Sequence, residues 1–209
     1  MQVKDIFNTV KQRKPTLHGI DKLKKFAVLL PFIQEAEEPC LLFEVRAKHL
    51  RCQPGDVCFP GGKIEPFDRH AMETAIRETS EELGIPAEAI HHVHPIDYLI
   101  TPYGTMIYPF IGIIEANTLF HPNEDEVSEM FTVPFSFFLN TEPKVYEVQF
   151  QAVPDENFPF EHIYGGKQYR FRSAKTKQFF YYYQDKVIWG LTAKLIYNFA
   201  DYVKSHPSE

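Results

Sequence analysis

The sequence predicts a mixed α/β (α+β) fold, a mixed sheet sandwiched between helices, and three observations lead there. Short apolar runs bounded by Pro, Gly or charged residues recur from residue 26 to residue 183, as strands do. Two segments, 68–83 and 188–204, instead repeat apolar residues every three or four positions, the period of a helix with one buried face. No linker, low-complexity tract or internal repeat divides the chain. Strands and helices are therefore assigned to one domain, 26–205, preceded by a basic helical extension, 1–25.

Each element has its own warrant. Ile6, Phe7 and Val10 share a face within 2–14, a short amphipathic helix stopped by Pro15. The runs 26–34 and 40–46 make a strand hairpin across the polar stretch 35–39. Residues 47–62 contain Pro54, Gly55, Pro60, Gly61 and Gly62 and read as a loop carrying a short strand at 57–59. Asp68 is placed as the N-cap of a helix ending at Leu83, with Gly84 supplying its left-handed stop. Met72, Ala75, Ile76, Thr79 and Leu83 form that helix's apolar face. Further strands are expected at 96–100, 107–115, 127–133, 145–153 and 178–183, with a short helix at 134–139. Leu191, Leu195, Ile196, Phe199 and Tyr202 or Val203 mark the buried stripe of a closing helix.

Composition excludes several classes. With 209 residues, 44% of them hydrophobic, the chain can bury one sizeable core. A net charge of −6 argues against binding nucleic acid through overall positive charge. No apolar run reaches the roughly 20 residues of a membrane span, and residues 1–25 lack the apolar core of a signal peptide. Cys40, Cys52 and Cys58 are odd in number and form no CxxC pair, which disfavours a disulfide framework or zinc knuckle. The C-terminal Ser205-His206-Pro207-Ser208-Glu209 is not the Ser-Lys-Leu peroxisomal address. A cytoplasmic location is the simplest expectation.

The negative charge is unevenly spread. Residues 1–25 hold seven Lys or Arg against two Asp, a net of +5. Residues 63–85 hold three basic and six acidic side chains, a net of −3. Residues 115–131 hold Glu115, Glu124, Asp125, Glu126 and Glu129 and no basic residue, a net of −5. Taken singly, each acidic stretch reads as a solvated face. Brought into one cleft, the two would repel each other and call for a hard cation, Mg²⁺ or Mn²⁺.

The chemistry concentrates in Gly61-Gly62-Lys63-Ile64-Glu65, Asp68, and Arg77-Glu78-Thr79-Ser80-Glu81-Glu82-Leu83-Gly84-Ile85. On a helix Glu78, Glu81 and Glu82 are related as i, i+3 and i+4, so three carboxylates stand together. Arg77 points elsewhere and can pair with a carboxylate from the preceding turn, holding a ligand in place. The paired glycines let backbone bend tightly against the helix.

This stretch resembles the Nudix box: Gly, five residues, Glu, seven residues, Arg-Glu, an apolar residue, any residue, Glu-Glu, any residue, Gly, apolar. Gly62 precedes Arg77 by 15 positions where the box has 14, Asp68 replaces the box Glu, and Thr79 takes the apolar position. The subgroup of Nudix hydrolases that cleave coenzyme A has the same lengthened loop. Its upstream signature is matched by Arg46, Ala47, Arg51, Gly55 and Phe59-Pro60-Gly61-Gly62 with every spacing intact, and only its opening Leu-Leu-Thr is altered, to Leu42-Phe43-Glu44. Further matches extend the resemblance over roughly residues 26 to 200.

The resemblance implies a Nudix-type α/β/α sandwich and hydrolysis of a coenzyme A pyrophosphate to 3′,5′-ADP and 4′-phosphopantetheine. It implies Mg²⁺ or Mn²⁺ held by Glu78, Glu82 and Glu81, with Glu126 as an outside member, and a metal-activated water. Glu78 or Glu81 is the expected base, with Arg77 in the catalytic set and Glu126 again an outside candidate. Arg46 and Arg51 become phosphate anchors, because guanidinium matches phosphate geometry, beside the substrate-binding turn of Gly61 and Gly62. Two other readings stay open: a Nudix hydrolase for ADP-ribose or a dinucleotide, and a nucleotide sensor without catalysis. The intact Arg77-Glu78 and Glu81-Glu82 pairs weigh against the sensor.

Other signals carry less. His91, His92 and His94 read as surface imidazoles rather than a zinc site. Tyr181, Tyr182 and Tyr183 read as a strand with aromatic side chains on both faces rather than an adenine-stacking set, and Trp189 as a core residue, with a pocket-wall role left open by the family match. Cys58 reads as a small buried residue, not a nucleophile. The basic segment 1–25 can dock on the domain, mediate a homodimer or attract acidic substrate; the sequence leaves all three open.

Overall fold

The computed structural model describes residues 2–207. Helix α1 (Val3–Val10) stops short of Pro15, and its Val3, Ile6, Phe7 and Val10 are all exposed. The hairpin strands follow as β1 (Lys24–Glu35) and β2 (Glu38–Arg46), joined by a two-residue turn in which Ala36 takes a φ of 50°. Next come β3 (Val57–Cys58), β4 (Gly61–Lys63) and helix α2 (Ala71–Leu83). Strands β5 (Ile90–Pro95), β6 (Leu99–Ile100), β7 (Thr105–Ile114) and β8 (Val127–Pro134) lead into helix α3 (Phe135–Asn140). The chain ends with β9 (Lys144–Phe150), β10 (Ala174–Tyr183), β11 (Lys186–Trp189) and helix α4 (Gly190–Ser205).

Eight strands form one mixed sheet in the order β3-β2-β1-β7-β5, with β4 also on β1, β6 on β7 and β8 on β2. Strand β1 organises it. The start of β1 pairs antiparallel with β4, its end with β2, and much of its length runs parallel to β7 from Lys24–Thr105 to Phe32–Ile113. A second sheet, β11-β10-β9, is antiparallel throughout.

Alternation along β1 and β2 divides the interior into two cores. Ala27, Leu29 and Leu42 face α2 and pack with Ala75, Leu83, Ile85 and Phe110. Leu30, Leu41 and Phe43 face the other way, onto Phe138, Tyr181, Ile188 and Ile196 from α3, the second sheet and α4. Full burial of one such leucine contributes about 1.5–3 kcal/mol. The predicted sandwich, a mixed sheet between helices, is the observed one.

Several boundaries differ from expectation, each for a physical reason. Helix α2 begins at Ala71, capped by His70, whose Nδ1 accepts the Glu73 N–H at 3.2 Å. Asp68 is not the cap because its carboxylate is committed to Thr74, Arg77 and the Glu65 N–H. Of the strand expected at 96–100 only Leu99–Ile100 forms, as β6, and a longer strand, β5, precedes it where exposed histidines disguise the alternation. Gly61 and Gly62, read as loop, pair with β1. On α4 the buried residues are Thr192, Ala193, Leu195, Ile196 and Ala200, while Leu191 and Tyr202 are exposed. Leu195 and Ile196 of the expected stripe are buried and Phe199 and Val203 pack against the core, while the small side chains Thr192, Ala193 and Ala200 widen the contact. Strand β11, four residues long, was not anticipated. Trp189 is 41% exposed and stacks on Phe180 with ring centroids 5.6 Å apart, so it is not a core residue. Tyr181 is buried and Tyr182 half-exposed, as a strand with aromatics on both faces requires.

Candidate active site

The site forms where α2 meets the Gly61-Gly62 strand and the loop before β8. Gly84 ends α2 at φ 61°, a conformation glycine adopts without steric cost. A side chain there would place its Cβ 1.8 Å from the His121 carbonyl oxygen. That close approach lets the loop hydrogen-bond the last turn of the helix: His121 N–H donates to the Leu83 carbonyl at 3.1 Å and Asn123 N–H to that of Glu82 at 2.9 Å. Glu126 follows directly, and its carbonyl accepts the Ala47 N–H at 2.8 Å, tying the acidic loop to the end of β2. The two acidic stretches thus meet.

The three helix carboxylates have different surroundings. Glu82 is 5% exposed, and its Oε2 accepts the Gly61 N–H at 2.8 Å. Burial first, and then the nearby charge of Glu44, push its proton affinity well above the usual carboxylate range. Glu78 is half-buried and ion-pairs with Arg77 at 2.8 Å; burial raises its pKa and the guanidinium opposes that. Glu81 is exposed and reaches Arg77 at 3.2 Å. Gly62 lies so close to Glu78 that a Cβ would stand 2.3 Å from the carboxyl carbon. The glycine pair is therefore packed onto the helix carboxylates, as the sequence suggested.

Arg77 ties the turn before α2 to the helix carboxylates. Its guanidinium reaches Asp68 at 3.2 and 3.3 Å and stacks over Phe67 at 5.4 Å. Asp68, with a side chain only 2% exposed, is held down to about 2, chiefly by the hydrogen bond from Arg77. Thus Asp68 fixes Arg77, and Arg77 fixes Glu78 and Glu81.

Arg46, at the end of β2, donates from Nε to the Cys52 carbonyl at 3.3 Å and lines a cavity of about 450 Å³. Cys58, Tyr103, Gln178, Trp189 and Thr192 line the same cavity. Arg51 is exposed on the 47–56 loop and does not line that cavity. Cys58 donates its thiol to Glu44 Oε1 at 3.2 Å, and burial raises its pKa strongly, so it is no thiolate nucleophile. Sequence reasoning missed one contributor: Glu44, buried in β2, showed only as a charge inside an apolar strand and as a departure from the signature. Trp189 lines the cavity, the pocket-wall role that the family resemblance leaves open beside core packing.

The donor chemistry suits a hard divalent cation: Glu78, Glu81, Glu82 and Glu126 all offer carboxylate oxygen. Among the described residues no three such side chains converge on one point as they stand, and Arg77 engages Glu78 and Glu81. Glu44 adds a buried carboxylate oxygen with no partner, which a cation would satisfy.

A Gly-Gly strand laid on a carboxylate-bearing helix, within a mixed sheet, defines a class. The NUDIX domain family model matches residues 23–155, and the chain belongs to the Nudix family. It is 33% identical over 196 residues to the protein named Uncharacterized Nudix hydrolase NudL of Pectobacterium atrosepticum, covering 94% of this chain and 91% of that one. It is 40% identical over 126 residues to Peroxisomal coenzyme A diphosphatase NUDT7 of Mus musculus, covering 58% of this chain and 51% of that protein. Among solved structures, an Ap4A hydrolase of C. elegans aligns with a TM-score of 0.45 and 17% identity, covering 55% of this chain and 82% of that one. No helix among the described residues is long and apolar enough to cross a membrane.

Proposed function

We propose that the protein hydrolyses the pyrophosphate bond of coenzyme A or its derivatives, giving 3′,5′-ADP and 4′-phosphopantetheine, with Mg²⁺ or Mn²⁺ as cofactor. The observation that carries the reading is the packing of Glu82 and Glu78 against Gly61 and Gly62, with the Glu126 loop hydrogen-bonded to the end of the same helix, beside a cavity that Arg46 lines. The upstream signature ending in Phe59-Pro60-Gly61-Gly62 and the printed name of the mouse relative support coenzyme A as substrate.

Glu78, Glu82, Glu81 and Glu126 would hold the cation, which when bound polarises a phosphoryl oxygen and acidifies a water. The chain's own groups do the rest. Arg46 neutralises a substrate phosphate at the cavity mouth. Arg77, anchored by Asp68, keeps Glu78 and Glu81 oriented, and one of these two accepts the water proton. The Gly61 N–H steadies Glu82 so that its other oxygen stays available. Arg51, exposed on the 47–56 loop, serves as a second phosphate anchor.

The test is a product analysis by mass spectrometry. Protein with Mg²⁺ or Mn²⁺ is incubated with coenzyme A, acyl-coenzyme A, ADP-ribose and dinucleoside polyphosphates. Release of 3′,5′-ADP from the coenzyme A forms is expected to be the fastest reaction. Preferred cleavage of ADP-ribose or a dinucleotide refutes the substrate, and binding without turnover refutes catalysis.

A further inference from the structure

Among the described residues, one buried side-chain nitrogen or oxygen atom has no hydrogen-bond partner, and it is Glu44 Oε2. Glu44 is 1% exposed. It lies two residues beyond Leu42 on β2, so it shares the face that Leu42 presents to α2. The paired strand β3 brings Cys58 opposite it, and the Cys58 thiol occupies Oε1 at 3.2 Å. That bond fixes the carboxylate and leaves Oε2 as the free atom.

Its neighbours make the position costly. Glu82 and Glu126 both lie close enough for their negative charges to act on it or be acted on by it. The positive charge of Arg46, two residues along the strand, acts favourably on Glu44, but it makes no hydrogen bond to Oε2, its Nε being spent on the Cys52 carbonyl. A carboxylate shut away from water beside two others, with one oxygen unsatisfied, is expensive unless positive charge joins it. A hard divalent cation supplies that charge and accepts carboxylate oxygen.

We propose that Glu44 is a further ligand of the divalent-cation site, contributing Oε2 from β2 opposite Glu82. The assignment rests on the metal-dependent reading above. It adds a ligand at a place where the related signature carries threonine, and an added anionic ligand strengthens cation binding.

Mn²⁺ binding to the protein without substrate, followed by electron paramagnetic resonance, tests this. Wild type, Glu44→Gln and Glu124→Gln are titrated, the last as a control that removes one charge from the exposed end of the same acidic loop. Glu44→Gln is expected to weaken Mn²⁺ binding tenfold or more, and Glu124→Gln less than threefold. If Glu44→Gln does not fold, as circular dichroism will show, Glu44→Thr is titrated instead with the same expectation. Retention of affinity within tenfold in the folded variant, or an equal loss in Glu124→Gln, overturns the proposal alone. Failure of wild type to bind Mn²⁺ overturns the metal-dependent reading with it.

Discussion

Gly62→Ala separates the site from the scaffold. The new Cβ would stand 2.3 Å from the Glu78 carboxyl carbon and 2.5 Å from each of its oxygens. Ordinary contact between such atoms begins at about 3.5 Å, so the carboxylate must retreat by roughly 1 Å. It sits at the end of a flexible side chain, and what it gives up is the 2.8 Å pair with Arg77, in which both side chains remain 20–25% exposed. Losing a partly exposed pair costs about 0.5–1 kcal/mol, and an off-rotamer side chain about as much again. The sum, about 1–2 kcal/mol, lowers Tm by roughly 2–8 °C in a chain of this size. Turnover should fall far more, by about 100-fold, since a 1 Å misplacement of a ligand or base costs on that order. Urea unfolding and coenzyme A hydrolysis with Mg²⁺ measure the two effects. Activity within threefold of wild type would refute the role given to Glu78; a stability loss above about 4 kcal/mol would show that Gly62 serves the backbone instead.

Gly84→Ala should do the reverse, because both its φ of 61° and the His121 carbonyl 1.8 Å from the new Cβ oppose it. We expect at least about 2 kcal/mol of destabilisation in urea, from left-handed strain plus displacement of the acidic loop. Asp68→Asn should lower stability near neutral pH and leave it unchanged in strong acid. The folded carboxyl is held at about 2, below its unfolded value, so its contribution is present above the unfolded value near 4 and lost as pH falls towards 2. Melting curves of both proteins from pH 6 to pH 2 should converge; a constant gap refutes the Arg77 pairing as its cause. Arg46→Ala should cut kcat/KM for coenzyme A by about tenfold or more through lost phosphate pairing, with an unchanged melting temperature.

What the sequence made legible depended on how strongly period and chemistry coincide. Helix α2 was readable because Ala75, Thr79 and Leu83 repeat at four while Gly84 stops the turn. Its start was not, because Asp68 and His70 are both competent caps and only the pull of Arg77 on Asp68 decides between them. The β1–β2 hairpin was legible from apolar runs alone. Strand β5 was hidden by His91, His92 and His94, whose exposed side chains leave no alternation to read. At the candidate site, Glu78, Glu81 and Glu82 stand out by spacing and Glu126 by charge density. Their unequal burial was not, since it comes from the Gly61 N–H and the loop hung on Gly84. Glu44 escaped because one acid in an apolar strand acquires meaning only when the opposite wall is known.

The pairing of β1 with β7 also sets the tempo at which this protein can assemble. Lys24 meets Thr105 across 81 intervening steps of chain, and the parallel register continues for eight more pairs. Contacts so distant in sequence are slow to form, because the loop they close must be ordered before they return any stabilisation. The β1–β2 hairpin and α2 are local and can precede it. Strand β4 and strand β7 pair with opposite edges of the start of β1, so that stretch becomes an interior strand only when β7 arrives. Amide exchange should accordingly find the parallel β1–β7 ladder acquired at the last and slowest stage of refolding, after the hairpin end of β1 is protected.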